Sequence, residues 1–198
     1  MRFLNRTIVW ILIGTLILIS QFPLFSCSKS TQQEQTTTTS SSINGIVDVN
    51  EYPNSVTYDN GNFQIYWKVE GQDLFIGIKA KTTGWVAIGF NASSRLTNVD
   101  YVFGWVSNGK ASISDEYSAD YHGQHEADVS LGGKDNVTEF GGREDTGYTV
   151  IEFKRALVTG DAFDASISPG DLSIIWAYAS SDNISSEHSR RGYGQIHI

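Results

Sequence analysis

Residues 84–90 read GWVAIGF, and residues 99–118 read VDYVFGWVSNGKASISDEYS. The continuous apolar run from Trp85 to Phe90 predicts a central strand buried on both faces. Tyr101 to Val106 reads as another strand. Ser107-Asn108-Gly109-Lys110 then turns the chain into a third, Ala111 to Tyr117.

Outward from this centre the period stays near two. Upstream, Phe63, Ile65 and Trp67 alternate with Gln64, Tyr66 and Lys68, and Leu74, Ile76 and Ile78 alternate with Phe75, Gly77 and Lys79. Gly71-Gln72 sits between these runs as a hairpin turn. Downstream, Tyr148 to Lys154 alternates again, Leu172 to Ala179 is an apolar strand, and Gly194 to Ile198 closes the chain. Asp120 to Asp145 is polar and Gly-rich, predicts a long loop, and carries His122 and His125. The one helical expectation is a turn near Arg155 to Val158. About nine short strands with turns every 8–12 residues predict an all-β antiparallel sandwich. Nineteen Gly, nine Tyr, ten Phe and five Trp fit strands and tight turns better than helices.

The N-terminus is of a different kind. Arg2 and Arg6 precede an apolar stretch from Thr7 to Phe25, the basic and hydrophobic parts of a secretory signal. Leu24-Phe25-Ser26-Cys27 resembles the bacterial lipobox, in which the cysteine is lipidated and becomes the first mature residue; Phe25 departs from the small or β-branched residue usual there. Residues 1–27 are therefore read as a lipoprotein-type signal or a membrane anchor, with Cys27 the lipidation site. Arg2 and Arg6 place the rest of the chain on the outer side of the membrane. Residues 28–43 begin SKSTQQEQTTTTSSS, which has nothing apolar to bury, and predict a disordered linker. Residues 44–198 are the folded domain. The expected location is extracytoplasmic and membrane-anchored, at the cell surface or on the periplasmic face.

Cys27 is also the only cysteine, so no disulfide forms within the chain, and stability rests on an apolar core. Residues 28–198 hold 12 basic and 22 acidic residues, a net charge of −10 with histidine neutral. That sign argues against nucleic acid, whose phosphates need Lys and Arg to replace counterions.

GWVAIGF and VDYVFGWVSNGKASISDEYS, followed by YTVIEFKRALVTGD (148–161), LSIIWAYASSD (172–182) and HSRRGYGQIHI (188–198), together resemble the DOMON domain. The likeness runs from about Gly45 to Ile198. The resemblance implies an immunoglobulin-like antiparallel β-sandwich outside the cytoplasm. It also implies a module that binds haem or sugars, or that regulates a neighbouring redox enzyme. DOMON domains are named for dopamine β-monooxygenase, but the copper-binding domains of that enzyme have no counterpart here, so hydroxylase activity is not carried over and the chain is read as a non-catalytic binding module.

Haem-binding members resemble the cytochrome domain of cellobiose dehydrogenase and hold b-type haem between a methionine and a histidine. The methionine place falls in Arg95-Leu96-Thr97-Asn98-Val99-Asp100, where Leu96 stands instead. The histidine place matches His188. The resemblance thus keeps one ligand and loses the other, since leucine cannot bind iron. Five-coordinate haem on His188 and a second ligand from His122 or His125 both stay open, and haem implies a redox partner protein.

The alternative is a carbohydrate-binding or protein-interaction module without haem. Aromatic rings stack on sugar rings. Trp85 and Trp176 sit in apolar runs and read as core, which leaves Tyr117 and Tyr121 as the better stacking candidates for a glycan. Asp100, Asp115 and Glu116 are candidates for a hard cation such as calcium, which prefers carboxylate oxygens. No Gly-x-Ser-x-Gly, His-Glu-x-x-His or phosphate-loop motif occurs.

Overall fold

The computed structural model describes residues 43–92, 96–119 and 124–198. The signal or anchor with Cys27, the linker up to residue 42, and Tyr121 and His122 lie outside the described residues.

Eleven strands form among the described residues: β1 (Asn54–Tyr58), β2 (Phe63–Glu70), β3 (Asp73–Ala80), β4 (Val86–Phe90), β5 (Val99–Ser107), β6 (Lys110–Ser118), β7 (Glu126–Ala127), β8 (Val137–Asp145), β9 (Tyr148–Ala156), β10 (Asp171–Tyr178) and β11 (Arg190–His197). They build a five-stranded sheet in the order β1-β2-β3-β9-β8 and a six-stranded sheet in the order β11-β10-β4-β5-β6-β7. Every pairing is antiparallel. This is the predicted sandwich, with β4 at the centre of its sheet and buried throughout.

The period of two decides which residues meet between the sheets. Phe63, Ile65, Leu74, Ile76 and Ile78 from one sheet face Val86, Ile88, Phe90, Ile174 and Ile196 from the other, all at most 1–2% exposed. Each such side chain contributes about 1.5–3 kcal/mol by leaving water. Trp176 belongs to this inner core and stacks on Phe63 and Tyr58. Two hairpins close through two-residue turns in which both residues have positive φ: Asn108-Gly109 (52° and 74°) and Thr146-Gly147 (53° and 81°). That mirror-image turn suits the twist of the flanking strands, and glycine reaches it without strain.

The long loop expected over Asp120 to Asp145 is mostly ordered structure. It holds β7, a one-turn helix α1 (Asp128–Leu131) and the nine-residue strand β8. β8 lies at a sheet edge and exposes most of its side chains, so it lacks the apolar alternation that marks the other strands. Its pairing with β9 supplies what its side chains do not. The helical turn expected from Arg155 is absent too, because Arg155 and Ala156 are the end of β9.

The start of the folded part is fastened by one carboxylate. Glu152, fully buried on β9, accepts backbone N–H groups from Asn44, Gly45 and Ile46 at 3.1, 2.6 and 2.9 Å, and the Tyr52 hydroxyl at 2.8 Å.

Candidate functional site

The outer faces of a sandwich usually meet water and carry polar residues. The six-stranded sheet departs from this. Its outward positions on β4, β5 and β10 are Ala87 and Gly89; Val99, Tyr101 and Phe103; and Ile175 and Ala177. Register sets them side by side: Gly89 pairs with Tyr101 and Ile175, and Ala87 with Phe103 and Ala177. With Trp85 they make a second apolar cluster, against which Leu96 and Ile184 pack from the loops.

A cavity of about 540 Å³ opens on this cluster, within the range of small-molecule sites. Trp85, Tyr101 and Phe103 supply aromatic wall, Ile175 and Gly89 the floor, and the polar groups include His125, His188, Arg191, Gln124 and Glu187. Gly89 leaves the floor bare: a Cβ there would come 2.7 Å from Ile175 Cγ2 and 2.8 Å from the Tyr101 ring. Trp85 meets Phe103 edge-on at 5.2 Å, and its indole N–H donates to Ser186 Oγ at 3.4 Å. Burial, with Tyr193 nearby, pushes the Tyr101 hydroxyl up to about 12, so it stays protonated at neutral pH.

His188 lies half-buried in the segment before β11. The next residue, Ser189, donates its N–H to the Tyr178 carbonyl at 2.8 Å, which pins the segment to the end of β10. Arg191 stands on β11 opposite Ala177, on the same outward face. Leu96 also lines the cavity, so the position of the expected methionine faces the site but offers hydrocarbon alone. His125 lines it from the β6–β7 side, with its ring stacked on Phe103 at 4.4 Å. Its Nδ1 meets Glu116 Oε2, and Glu116 accepts from Ser114 Oγ at 2.7 Å.

The three acids expected to share a cation are not brought together. Asp115 and Glu116 are neighbours on β6, and strand alternation sends them to opposite faces. Glu116 turns outward to His125. Asp100 and Asp115 turn inward, where Asp164 joins them with oxygens within 4.8 Å of one another. Asp100 Oδ2 accepts from Arg155 Nη1 at 2.5 Å and from the Ala165 N–H at 2.8 Å. Asp115 accepts the Asn136 N–H at 2.8 Å. Nearby, Asp128 is 1% exposed, and both its carboxyl oxygens lack a hydrogen-bond partner. Burial, then Asp164 and Asp100, pushes Asp128 up to about 7. Burial also pushes Asp115 up to about 8, despite the Asn136 N–H.

Of the expected stacking tyrosines, Tyr117 does not line the main cavity. Its hydroxyl donates to Asn98 Oδ1 at 2.7 Å, and its ring meets Phe163 edge-on at 5.2 Å. The sequence reading missed Tyr101, Phe103, Ile175 and Arg191, and it assigned Trp85 to the core. The available signal was that β5 and β10 carry apolar residues on both alternating sets, which requires a cover on each face.

Comparison with known proteins supports the same architecture. The chain is 29% identical over 132 residues to DBH-like monooxygenase protein 1 of Mus musculus and of Homo sapiens, which covers 66% of this chain and 21% of each relative. The chain therefore spans about a fifth of the length of these relatives. Two solved structures share the fold. They are the cytochrome b domain of pyranose dehydrogenase from Coprinopsis cinerea (TM-score 0.55, 13% identity, 72% of this chain and 80% of that one) and the cytochrome domain of Myriococcum thermophilum cellobiose dehydrogenase (TM-score 0.54, 12% identity, 73% and 81%). The profile of the DOMON domain matches residues 59–179, more than half of the chain, and the protein belongs to the DOMON family.

Proposed function

We propose that this chain is a non-catalytic, extracytoplasmic binding module, tethered to a membrane through Cys27 or the N-terminal anchor, that takes b-type haem in the cavity on the outer face of its six-stranded sheet. The observation that carries this reading is the cavity itself: an aromatic and aliphatic wall where a sandwich normally meets water, with His188 and Arg191 on its β10–β11 flank.

The residues present fit the group. Trp85, Tyr101, Phe103 and Ile175 offer an apolar, partly aromatic enclosure for a flat macrocycle. His188 supplies an imidazole nitrogen, a ligand iron accepts in either oxidation state. Arg191 supplies a guanidinium whose fork suits a carboxylate at the mouth. The bare backbone at Gly89 keeps the floor clear. When bound, the haem would supply a one-electron carrier, and the partner would be a redox protein on the same side of the membrane. The likeness in fold to two cytochrome domains, named above, agrees with this use of the outer face.

The test is an absorption spectrum of the full chain in mild detergent after mixing with haemin and desalting. A stoichiometric Soret band that is lost in His188→Ala is the expected result. If all the haem washes off the unaltered protein, the cavity serves another ligand, and a glycan screen with Trp85 and Tyr101 variants follows.

A further inference from the structure

We infer that His125 provides the second axial ligand at this site, in place of the methionine that Leu96 replaces. The inference rests on the haem reading above and deepens it.

Three observations carry it. Among the described residues, the cavity wall holds two imidazoles, His125 and His188. They arrive from opposite flanks: His188 from the segment before β11, at one edge of the six-stranded sheet, and His125 from the segment before β7, at the other. The outward residues of β4, β5 and β10 lie between, so a planar ligand standing edge-on to that floor would turn one face toward each imidazole.

The second observation is how His125 is held. Its Nδ1 meets the carboxylate of Glu116, which is 5% exposed and itself accepts from Ser114. With a carboxylate as its acceptor, Nδ1 carries the ring proton and donates it, which leaves the lone pair on Nε2. This carboxylate–histidine arrangement fixes ring orientation and strengthens the imidazole as a donor to metal. Phe103 beneath the ring restricts it further.

The third is the cost. Glu116 is a buried carboxylate, which is unfavourable unless a partner answers its charge. Holding β7 to β6 does not require it, because the backbone pairs of Glu116 with Ala127 and Tyr117 with Glu126 already do that. A ligand histidine gives Glu116 a role that strand pairing does not.

The test reads spin state and coordination of the haemin-loaded full chain by absorption and electron paramagnetic resonance. The unaltered protein should be low-spin and six-coordinate. His125→Ala should keep haem on His188, become high-spin and five-coordinate, and bind haem about tenfold more weakly; free imidazole should restore the low-spin spectrum. His125→Met, which keeps a ligand atom, should stay six-coordinate with a raised reduction potential. Glu116→Gln should stay low-spin but raise the potential, because a neutral partner makes the imidazole a poorer donor. A low-spin spectrum unchanged in His125→Ala, or a five-coordinate unaltered protein, overturns the inference and leaves the haem reading standing. An unaltered protein that takes no haem overturns both.

Discussion

Gly89 lies directly across from Tyr101 in the β4–β5 pair, and a Cβ at Gly89 would come 2.8 Å from the Tyr101 ring and 2.7 Å from Ile175 Cγ2. This one residue has no side chain, which leaves the cavity floor bare there. Both crowded neighbours are side chains on the cavity side, so a substituent would push them into the cavity rather than break the sheet. Gly89→Val should therefore fold and lose at least tenfold in haemin affinity, read by titration of the Soret band, at a stability cost of about 1–3 kcal/mol. Unchanged affinity would place the ligand elsewhere.

Stability should fall as pH rises through neutrality. In the folded state Asp128 sits near 7 and Asp115 near 8, and Asp100 is raised as well, in each case chiefly by burial. In the unfolded chain these carboxyls ionise near 4. Between those limits the folded protein holds more protons than the unfolded one, so their stabilising effect is full below pH 4 and is lost as pH climbs to about 8. Thermal unfolding in a chelator, which keeps divalent cations from replacing the protons, should show Tm several degrees lower at pH 8.5 than at pH 5.5. Asp128→Asn, a mimic of the protonated acid, should flatten that slope. A Tm that rises over this range would contradict the argument.

Glu152 should control whether the first residues of the domain stay docked. One carboxylate holds three successive backbone N–H groups and the Tyr52 hydroxyl. Glu152→Ala removes all four acceptor contacts and strands buried donors, at a cost of about 3 kcal/mol or more. Hydrogen exchange should speed up at residues 44–52 in this variant while β2 and β3 stay protected. Equal protection throughout would mean that packing alone holds the segment.

Membrane attachment should depend on Cys27 if it is lipidated. Cys27→Ser should move the protein from the membrane fraction to the soluble extracytoplasmic fraction, because one short apolar segment that is cleaved leaves nothing to anchor the domain. A Cys27→Ser protein that stays membrane-bound would instead show an uncleaved anchor.

The linear sequence determined the sandwich. Alternation in Phe63–Lys68, Leu74–Lys79 and Tyr148–Lys154, and the apolar run at Trp85–Phe90, each bury one or two faces of a strand. Those constraints are local enough to read from a single chain. They failed at β8, whose polar side chains carry no such alternation and which forms because β9 offers its edge. The sequence also marked His188, through a resemblance rather than through any property of a lone histidine in a Ser-rich segment.

Tertiary structure alone decided that the outer face carries a cavity. Tyr101, Phe103 and Ile175 look like core residues in one dimension. Only sheet order and register put them side by side beneath a cavity, with His125 and His188 on opposite flanks. Asp115 and Glu116 show the same point at the smallest scale. They are adjacent in the chain, yet the pleat sends one to a buried acidic cluster and the other to the histidine it holds, because successive side chains of a strand face opposite ways.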